Sequence, residues 1–110
     1  MDSKTFNDFV EFICENHIKG ILYSKAQEYA KDEDRLHNFK RASEMSGESA
    51  IECLRGMNLK HDVSLDDMLN DEDNGINHPQ DLWQEKLHDE INYLLLLWAL
   101  LIDEHSWELK

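Results

Sequence analysis

The last long segment of the chain, Pro79 to Glu108, limits most strongly what this sequence can fold into. From Tyr93 to Ile102 it has no polar side chain except the tyrosine hydroxyl and the run is rich in Leu, which is typical of helix rather than strand. The run of about ten apolar residues is too short for a bilayer, which needs roughly 20. A helix that is apolar all round must be covered on all sides. We therefore expect it to be the central helix of a bundle or of a contact between subunits.

The whole sequence predicts an all-α fold, a bundle of four to five helices with a long, largely buried C-terminal helix, in one domain over residues 1–110. One proline and four glycines interrupt the 110 residues, and no stretch shows the alternation of a half-buried strand. The first helix is predicted to begin with a cap at Asp2 or Ser3 and to be divided near Gly20. A short helix is predicted from Leu36 to Met45 with its end near Gly47, and the next helix is predicted to start at Ser46 or Ser49. A loop from Asn70 to Gln80 then leads to the last helix, with Pro79 in its first turn.

Apolar residues at spacings of three and four predict which side of each helix faces the core. The core candidates are Phe6, Phe9, Val10 and Ile13 in the first helix, Phe39 and Ala42 in the short helix, Ile51, Leu54, Met57 and Leu65 in the next, and Trp98 in the last.

The chain is strongly acidic, with 24 Asp and Glu against 11 Lys and Arg and a formal net charge of −13. Direct binding to DNA, RNA or an anionic membrane needs a basic surface, so the charge argues against all three. Cys14 and Cys53 form no metal-binding spacing, and the N-terminus has no basic leader. These features predict reduced thiols and a cytoplasmic location.

Glu85, Asp89 and Asn92 lie at positions i, i+4 and i+7 of the predicted last helix and therefore on one face. Two carboxylates one turn apart can hold Mg²⁺, with phosphate oxygens and water as the other ligands. The alternative is a solvated acidic face at a helix N-terminus, where negative charge complements the dipole. Asn92 lies inside the apolar region, where a buried amide needs a hydrogen-bond partner.

Two neighbouring residues of the preceding helix, Lys60 and His61, have a structural and a functional interpretation each. His61 falls in the apolar stripe and is either a core histidine or a site residue. Lys60 belongs to a polar row with Ser64 and Asp67, and it forms either an interhelical ion pair or a phosphate contact if this row faces Glu85 and Asp89.

Bases and aromatic residues also gather between residues 25 and 40. Arg and Lys bind phosphate, and Tyr, Phe and Asn can contact a nucleobase. In the alternative interpretation, the aromatic residues are core and the bases are surface residues. This group consists of Lys25, Tyr29, Arg35, Asn38, Phe39 and Lys40.

Four sequence motifs resemble a set of small phage-encoded proteins. They are Lys25-x-x-x-Tyr29-Ala30, Asp34-Arg35-x-x-Asn38-Phe39-Lys40, Gly56-x-x-x-Lys60-His61-x-x-Ser64 and Glu85-Lys86-x-x-Asp89-x-x-Asn92-Tyr93-x-x-Leu96-Leu97. Over roughly Lys25 to Leu101 the chain is similar to the MazG-like nucleoside triphosphate pyrophosphatases, including the group called nucleotide modification associated domain 1.

The resemblance implies a helical homodimer or homotetramer in a bacterial host cell. In the active relatives, acids of an EExxE and an ExxD motif hold Mg²⁺, and water attacks the α-phosphate of a nucleoside triphosphate. Here Asp89 aligns with the ExxD aspartate, Glu85 precedes that motif, and Lys86 takes the place of its glutamate. The EExxE position corresponds to residues 60–64, where all three acids are replaced.

The resemblance and the residues together predict a nucleotide-binding protein that either hydrolyses (deoxy)nucleoside triphosphates to monophosphate and pyrophosphate or binds a nucleotide without turning it over. The alternative is an acidic phage inhibitor of a host defence protein, anti-CRISPR or similar, that binds a basic nuclease groove or sequesters a nucleotide signal. A structural oligomer without a site is the third interpretation. The predicted site consists of Glu85, Asp89 and His61 for catalysis, Glu85 and Asp89 for Mg²⁺, and Lys25, Tyr29, Arg35, Asn38, Lys40, Lys60 and Asn92 for the nucleotide.

Overall fold

The computed structural model describes residues 1–20 and 34–109 and shows an all-α protein, as the sequence predicts. Within these two ranges no residue belongs to a strand. A π-helical turn, Cys14–Ile18, continues the first helix. Predictions for Lys25, Tyr29 and the other residues of 21–33 lie outside the described part of the chain. The two described ranges contain four α-helices: α1 (Ser3–Ile13), α2 (His37–Ser46), α3 (Ala50–Asp73) and α4 (Gln80–His105).

Short-range signals in the sequence place several helix ends correctly. Asp2 caps α1, since its Oδ1 accepts a 2.8 Å hydrogen bond from the Thr5 amide. Ser49 caps α3 in the same way through the Glu52 amide, at 3.1 Å. Gly47 ends α2 with a φ of 79°, in the left-handed region that glycine adopts without steric cost.

The predicted loop from Asn70 to Gln80 is wrong at its first end, because α3 continues to Asp73. Residues 71–73 are acidic but contain no helix breaker, and the turn forms only at Asn74 and Gly75, where the φ of Gly75 is 78°. Pro79 is the N-cap residue of α4 rather than part of its first turn.

The core lies where α2 crosses the α3–α4 hairpin. The short connection makes α3 and α4 antiparallel, so the first turns of α3 meet the second half of α4. The buried apolar cluster contains Leu36, Phe39, Ala50, Leu54, Leu96 and Leu100, with Ile51, Met57, Tyr93 and Leu97 packed against it. The predicted inward positions of Phe39 and Leu54 are thereby confirmed.

Two predictions about apolar residues are wrong. None of the α1 residues is buried, and Phe6, Phe9 and Val10 are all exposed. Trp98 of α4, predicted as core, is 63% exposed. The periodicity identifies an apolar face, but only packing decides whether the same chain covers it. In the described part of the chain, no helix is long and apolar enough to cross a membrane.

Candidate functional site

A cleft of about 350 Å³ lies between α2, α3 and α4, next to the core. It brings together six residues that the sequence singles out: Arg35, Asn38, Lys60, His61, Asp89 and Asn92. Gly56, Met57, Phe39, Tyr93 and Leu96 complete its wall. Residues separated by more than fifty positions along the chain therefore share one cavity.

The inner face of α4 sets the position of the cleft. Its buried residues are Asp89, Asn92, Leu96 and Leu100, at helical spacings of three and four. Leu96 and Leu100 belong to the core, whereas Asp89 and Asn92 are only 6% and 4% exposed. The core thus ends at Leu96, and the same buried face continues as the polar wall of the cleft.

His61 and Asp89 are paired across the α3–α4 contact. His61 Nδ1 lies 3.3 Å from Asp89 Oδ2, and the imidazole packs against the Tyr93 ring with centroids 5.3 Å apart. A carboxylate next to Nδ1 favours the tautomer with its proton there, which leaves Nε2 as a proton acceptor. The pair can therefore remove a proton from a bound molecule or from water.

Two buried polar atoms of the cleft residues, Arg35 Nη1 and Asn92 Oδ1, have no hydrogen-bond partner in the described part of the chain. Burial also lowers the pKa of the Arg35 guanidinium from its usual value, although an arginine remains charged at neutral pH. Nearly all buried polar groups in proteins are paired, and an unpaired one costs about 1–3 kcal/mol. One cleft therefore brings together a buried donor and a buried acceptor that form no hydrogen bond with the described residues, and two further such atoms, Asn58 Oδ1 and Glu90 Oε1, lie outside it.

The structure separates the two lysines that the sequence treats alike. Lys60 is exposed at the cleft and forms no salt bridge with any described residue. Lys40 does not line the cleft, and its Nζ lies 3.0 Å from Asp103 and 3.1 Å from Asp34. These hydrogen bonds raise the pKa of Lys40, and the bond to Asp103 has the larger effect. Lys60 is thus available for an anion, and Lys40 is engaged in structural ion pairs.

Among the described residues, Glu85 and Asp89 do not come together with a third ligand as a site for Mg²⁺. Glu85 is exposed and does not line the cleft, while Asp89 is buried and paired with His61. Over residues 1–20 and 34–109, no three His, Cys, Asp or Glu side chains lie together as metal ligands. Although the two acids share a helix face in sequence, the end of α4 that carries Glu85 extends beyond the cleft.

Gly56 lines the wall of the cleft and is the first residue of the motif that contains Lys60 and His61. It lies inside α3, where glycine costs about 0.5–1 kcal/mol relative to alanine. A Cβ at this position would meet no heavy atom within 4 Å beyond its own helix backbone. Packing against the described residues therefore does not require glycine at position 56. The missing side chain leaves space beside the cleft. A glycine within an apolar helix pattern is the signal that points to it.

A second polar cluster, outside the cleft, joins Asn58, Asp62 and Glu90. The Asn58 amide lies 3.3 Å from Asp62 Oδ1 and 3.5 Å from Glu90 Oε2. Burial, followed by the neighbouring Asp62 carboxyl, raises the pKa of Glu90. No pattern in the sequence indicates this cluster, because Asp62 and Glu90 come together only through the register of α3 against α4.

Comparison of the chain with protein-family models, with curated proteins and with solved structures found no match. The resemblance to the MazG-like pyrophosphatases therefore depends on the four motifs alone.

Proposed function

We propose that this protein binds a nucleotide in the cleft between α2, α3 and α4, as a MazG-like protein. The observation that carries the proposal is the pair of buried, unpartnered atoms, Arg35 Nη1 and Asn92 Oδ1, in one cavity. A nucleotide offers both complements, since its phosphate accepts hydrogen bonds and its base edge presents donors and acceptors.

The charges of the cleft support an anionic ligand. Arg35 and Lys60 are cations in a chain with a net charge of −13. Among the described residues, most of the Lys and Arg side chains that make a contact are paired with an acid. Arginine binds phosphate oxygens in a bidentate manner, and lysine acts as a point charge. The ring faces of Phe39 and Tyr93 supply an apolar surface for the base.

In this proposal His61 is the general base for hydrolysis in the cleft. His61 Nε2 takes a proton from water as the water oxygen bonds to the α-phosphorus, and the bond to the leaving pyrophosphate breaks. Arg35 and Lys60 stabilise the negative charge that develops on the phosphate oxygens. The products are a nucleoside monophosphate and pyrophosphate.

Isothermal titration calorimetry with each common nucleoside and deoxynucleoside triphosphate, in the presence of EDTA, tests the binding. We expect one or more nucleotides to bind, and Arg35→Gln to weaken the affinity at least tenfold. Arg41→Gln is the matched control, because Arg41 lies on α2 but pairs with Glu44 outside the cleft. No binding of any nucleotide, or equal losses in both variants, would contradict the proposal.

Pyrophosphate release with and without EDTA then separates a binding protein from an enzyme. We expect His61→Asn to reduce release at least a hundredfold, the scale of a general base, while calorimetry still shows binding. Binding without release in the unmodified protein would retain the nucleotide site and reject hydrolysis.

The net charge of −13 favours a second candidate, inhibition of a host defence nuclease by an acidic surface that occupies its basic groove. This function does not need the cleft. Inhibition of nuclease cleavage that persists in Arg35→Gln and weakens as salt is raised would support it, whereas inhibition that is lost in Arg35→Gln would assign the effect to a sequestered nucleotide.

A further inference from the structure

A groove of about 390 Å³ lies between α3 and α4, and no residue of α2 lines it. Gly56 and Tyr93 line both this groove and the nucleotide cleft, so the two openings flank the same stretch of the α3–α4 contact. All other lining residues differ between them, which makes the groove a separate surface. We call it the hairpin groove, and its main side chains are Glu52, Leu59 and Asp62 of α3 and Leu94 and Leu97 of α4.

The apolar part of the hairpin groove is open to solvent. Leu59 is 60% exposed and Leu94 is 62% exposed, while Leu97 beside them is half-buried. Single exposed leucines are ordinary on a protein surface. Here two of them, from different helices, line one groove, and full burial of a leucine side chain contributes about 1.5–3 kcal/mol. A partner that covers both therefore gains binding energy from one continuous surface.

Acidic side chains line the same groove. Glu48, Glu52 and Asp62 stand against a single base, Arg55, so the charge of the lining residues is −2, three acids less one base. Arg55 Nη1 lies 3.1 Å from Glu52 Oε1 and is thereby engaged. Among the described residues, neither Glu48 nor Asp62 forms a salt bridge. Two carboxylates of the hairpin groove thus have no cation of this chain beside them in its described part.

The polar cluster of Asn58, Asp62 and Glu90 lies at this groove as well. Asn58 and Asp62 line it, and the Asn58 amide joins them to Glu90. Burial and then the neighbouring Asp62 carboxyl raise the pKa of Glu90, which is the behaviour of a carboxyl without a compensating positive charge. A cation placed next to Asp62 therefore stabilises both carboxylates.

Leucines flanked by acids are complementary to a basic amphipathic segment. Such a segment places its apolar side chains on the leucines and its Lys or Arg side chains beside the carboxylates. A second copy of this chain is a poor match, since a net charge of −13 brings further acids to the groove. Glu52 and Asp62 are ten residues apart on α3, about 15 Å along its axis, so a helix of about three turns reaches both.

We propose that the hairpin groove binds a basic amphipathic segment of a partner protein, which packs on Leu59 and Leu94 and pairs with Asp62. The partner contributes a projecting segment, so this arrangement differs from an acidic surface that fills the basic groove of a nuclease. It also does not depend on the nucleotide cleft, because none of these three residues lines the cleft.

Fluorescence anisotropy with a labelled synthetic peptide tests the site. The peptide consists of about 14 Leu and Lys residues in the pattern of an amphipathic helix. We expect it to bind, with an affinity that falls as the salt concentration rises. A peptide with the same leucines and Glu in place of Lys should bind at least tenfold more weakly. Leu59→Ser should weaken the binding of the basic peptide about tenfold, and Asp62→Asn about threefold, the scale of an exposed ion pair.

Each variant has a matched control on α3 outside the groove. Asp66, like Asp62, accepts a hydrogen bond from an asparagine one turn away, at 3.4 Å against 3.3 Å, and Leu69 is 50% exposed. We expect Asp66→Asn and Leu69→Ser to leave the affinity for the peptide unchanged. Circular dichroism checks that every variant remains helical. Arg35→Gln should bind the peptide as the unmodified protein does, so that a failure of the nucleotide proposal does not affect this test.

Several results would overturn the proposal. The first is no binding of the Leu and Lys peptide. Equal binding of the Leu and Glu peptide would show that charge does not select the occupant. Equal losses in Asp66→Asn and Leu69→Ser would place the peptide elsewhere on the acidic surface. Sedimentation equilibrium adds a fourth: a dimer that Leu59→Ser dissociates would assign the hairpin groove to a second copy of this chain.

Discussion

The two faces of α4 have similar spacing but opposite surroundings. The inner face buries Asp89 and Asn92 next to Leu96 and Leu100, whereas the outer face exposes Leu94 and Trp98. Buried polar residues and exposed large apolar residues are the two departures from ordinary burial that carry information. The comparison teaches that α4 buries polar side chains on the side of the cleft and exposes large apolar side chains on the other side, and neither arrangement stabilises an isolated chain.

The largest expected difference between the two faces is in core packing. Leu100 is fully buried, so Leu100→Ala should reduce the free energy of unfolding by about 3 kcal/mol through lost burial and a cavity. Leu94→Ala should cost less than about 0.5 kcal/mol when measured at concentrations at which the chain is a monomer. Urea unfolding followed by circular dichroism measures both, and equal losses would show that the two faces are not different in the monomer.

Asn92→Leu tests the cost of the polar cleft on the inner face. Because Asn92 Oδ1 is buried without a hydrogen-bond partner among the described residues, the variant should raise the free energy of unfolding by about 1 kcal/mol. The same change should weaken nucleotide binding at least tenfold. A less stable protein with unchanged nucleotide affinity would show that Asn92 is structural.

Gly56→Ala tests the α3 wall of the cleft, which lies across from the inner face of α4. It should stabilise the protein by about 0.8 kcal/mol, since alanine is the better helix former and its Cβ has space. Gly47→Ala is the control with the opposite sign, because the φ of 79° strains any residue with a Cβ. A lower free energy of unfolding in Gly56→Ala would show that the protein in solution has no space for a Cβ at this position.

The smallest effect concerns Glu90, at the edge between the two faces. Its raised pKa, due first to burial and then to Asp62, means that the folded state binds the proton more tightly than the unfolded state. The contribution of this group to stability is therefore greatest below the ordinary glutamate pKa and is lost as the pH rises through the raised value. Unfolding free energies from about pH 4 to about pH 7 should fall less steeply in Glu90→Gln than in the unmodified protein. Identical slopes would contradict the raised pKa.

The sequence by itself determined the helices and much of the residue set of the cleft. Asp2, Ser49 and Gly47 act within one turn of their own positions, so their effects can be read without knowledge of the fold. Asn92 lies within α4, and Arg35 lies in the turn just before α2, so each belongs to a short motif that is local in the chain. Arginine and asparagine side chains indicate polar contacts, whatever the arrangement of the helices.

Only the tertiary structure decided which of these residues meet. Glu85 and Asp89 share one face of α4, yet Asp89 enters the contact with α3 and Glu85 extends past it. Lys60 and Lys40 are both bases, but α2 places Lys40 between two acids. Trp98 has the periodicity of a core residue, yet the described residues leave it 63% exposed. The physical reason is the same in each case: spacing fixes the direction of a side chain around its helix axis, whereas its depth depends on where other helices cross.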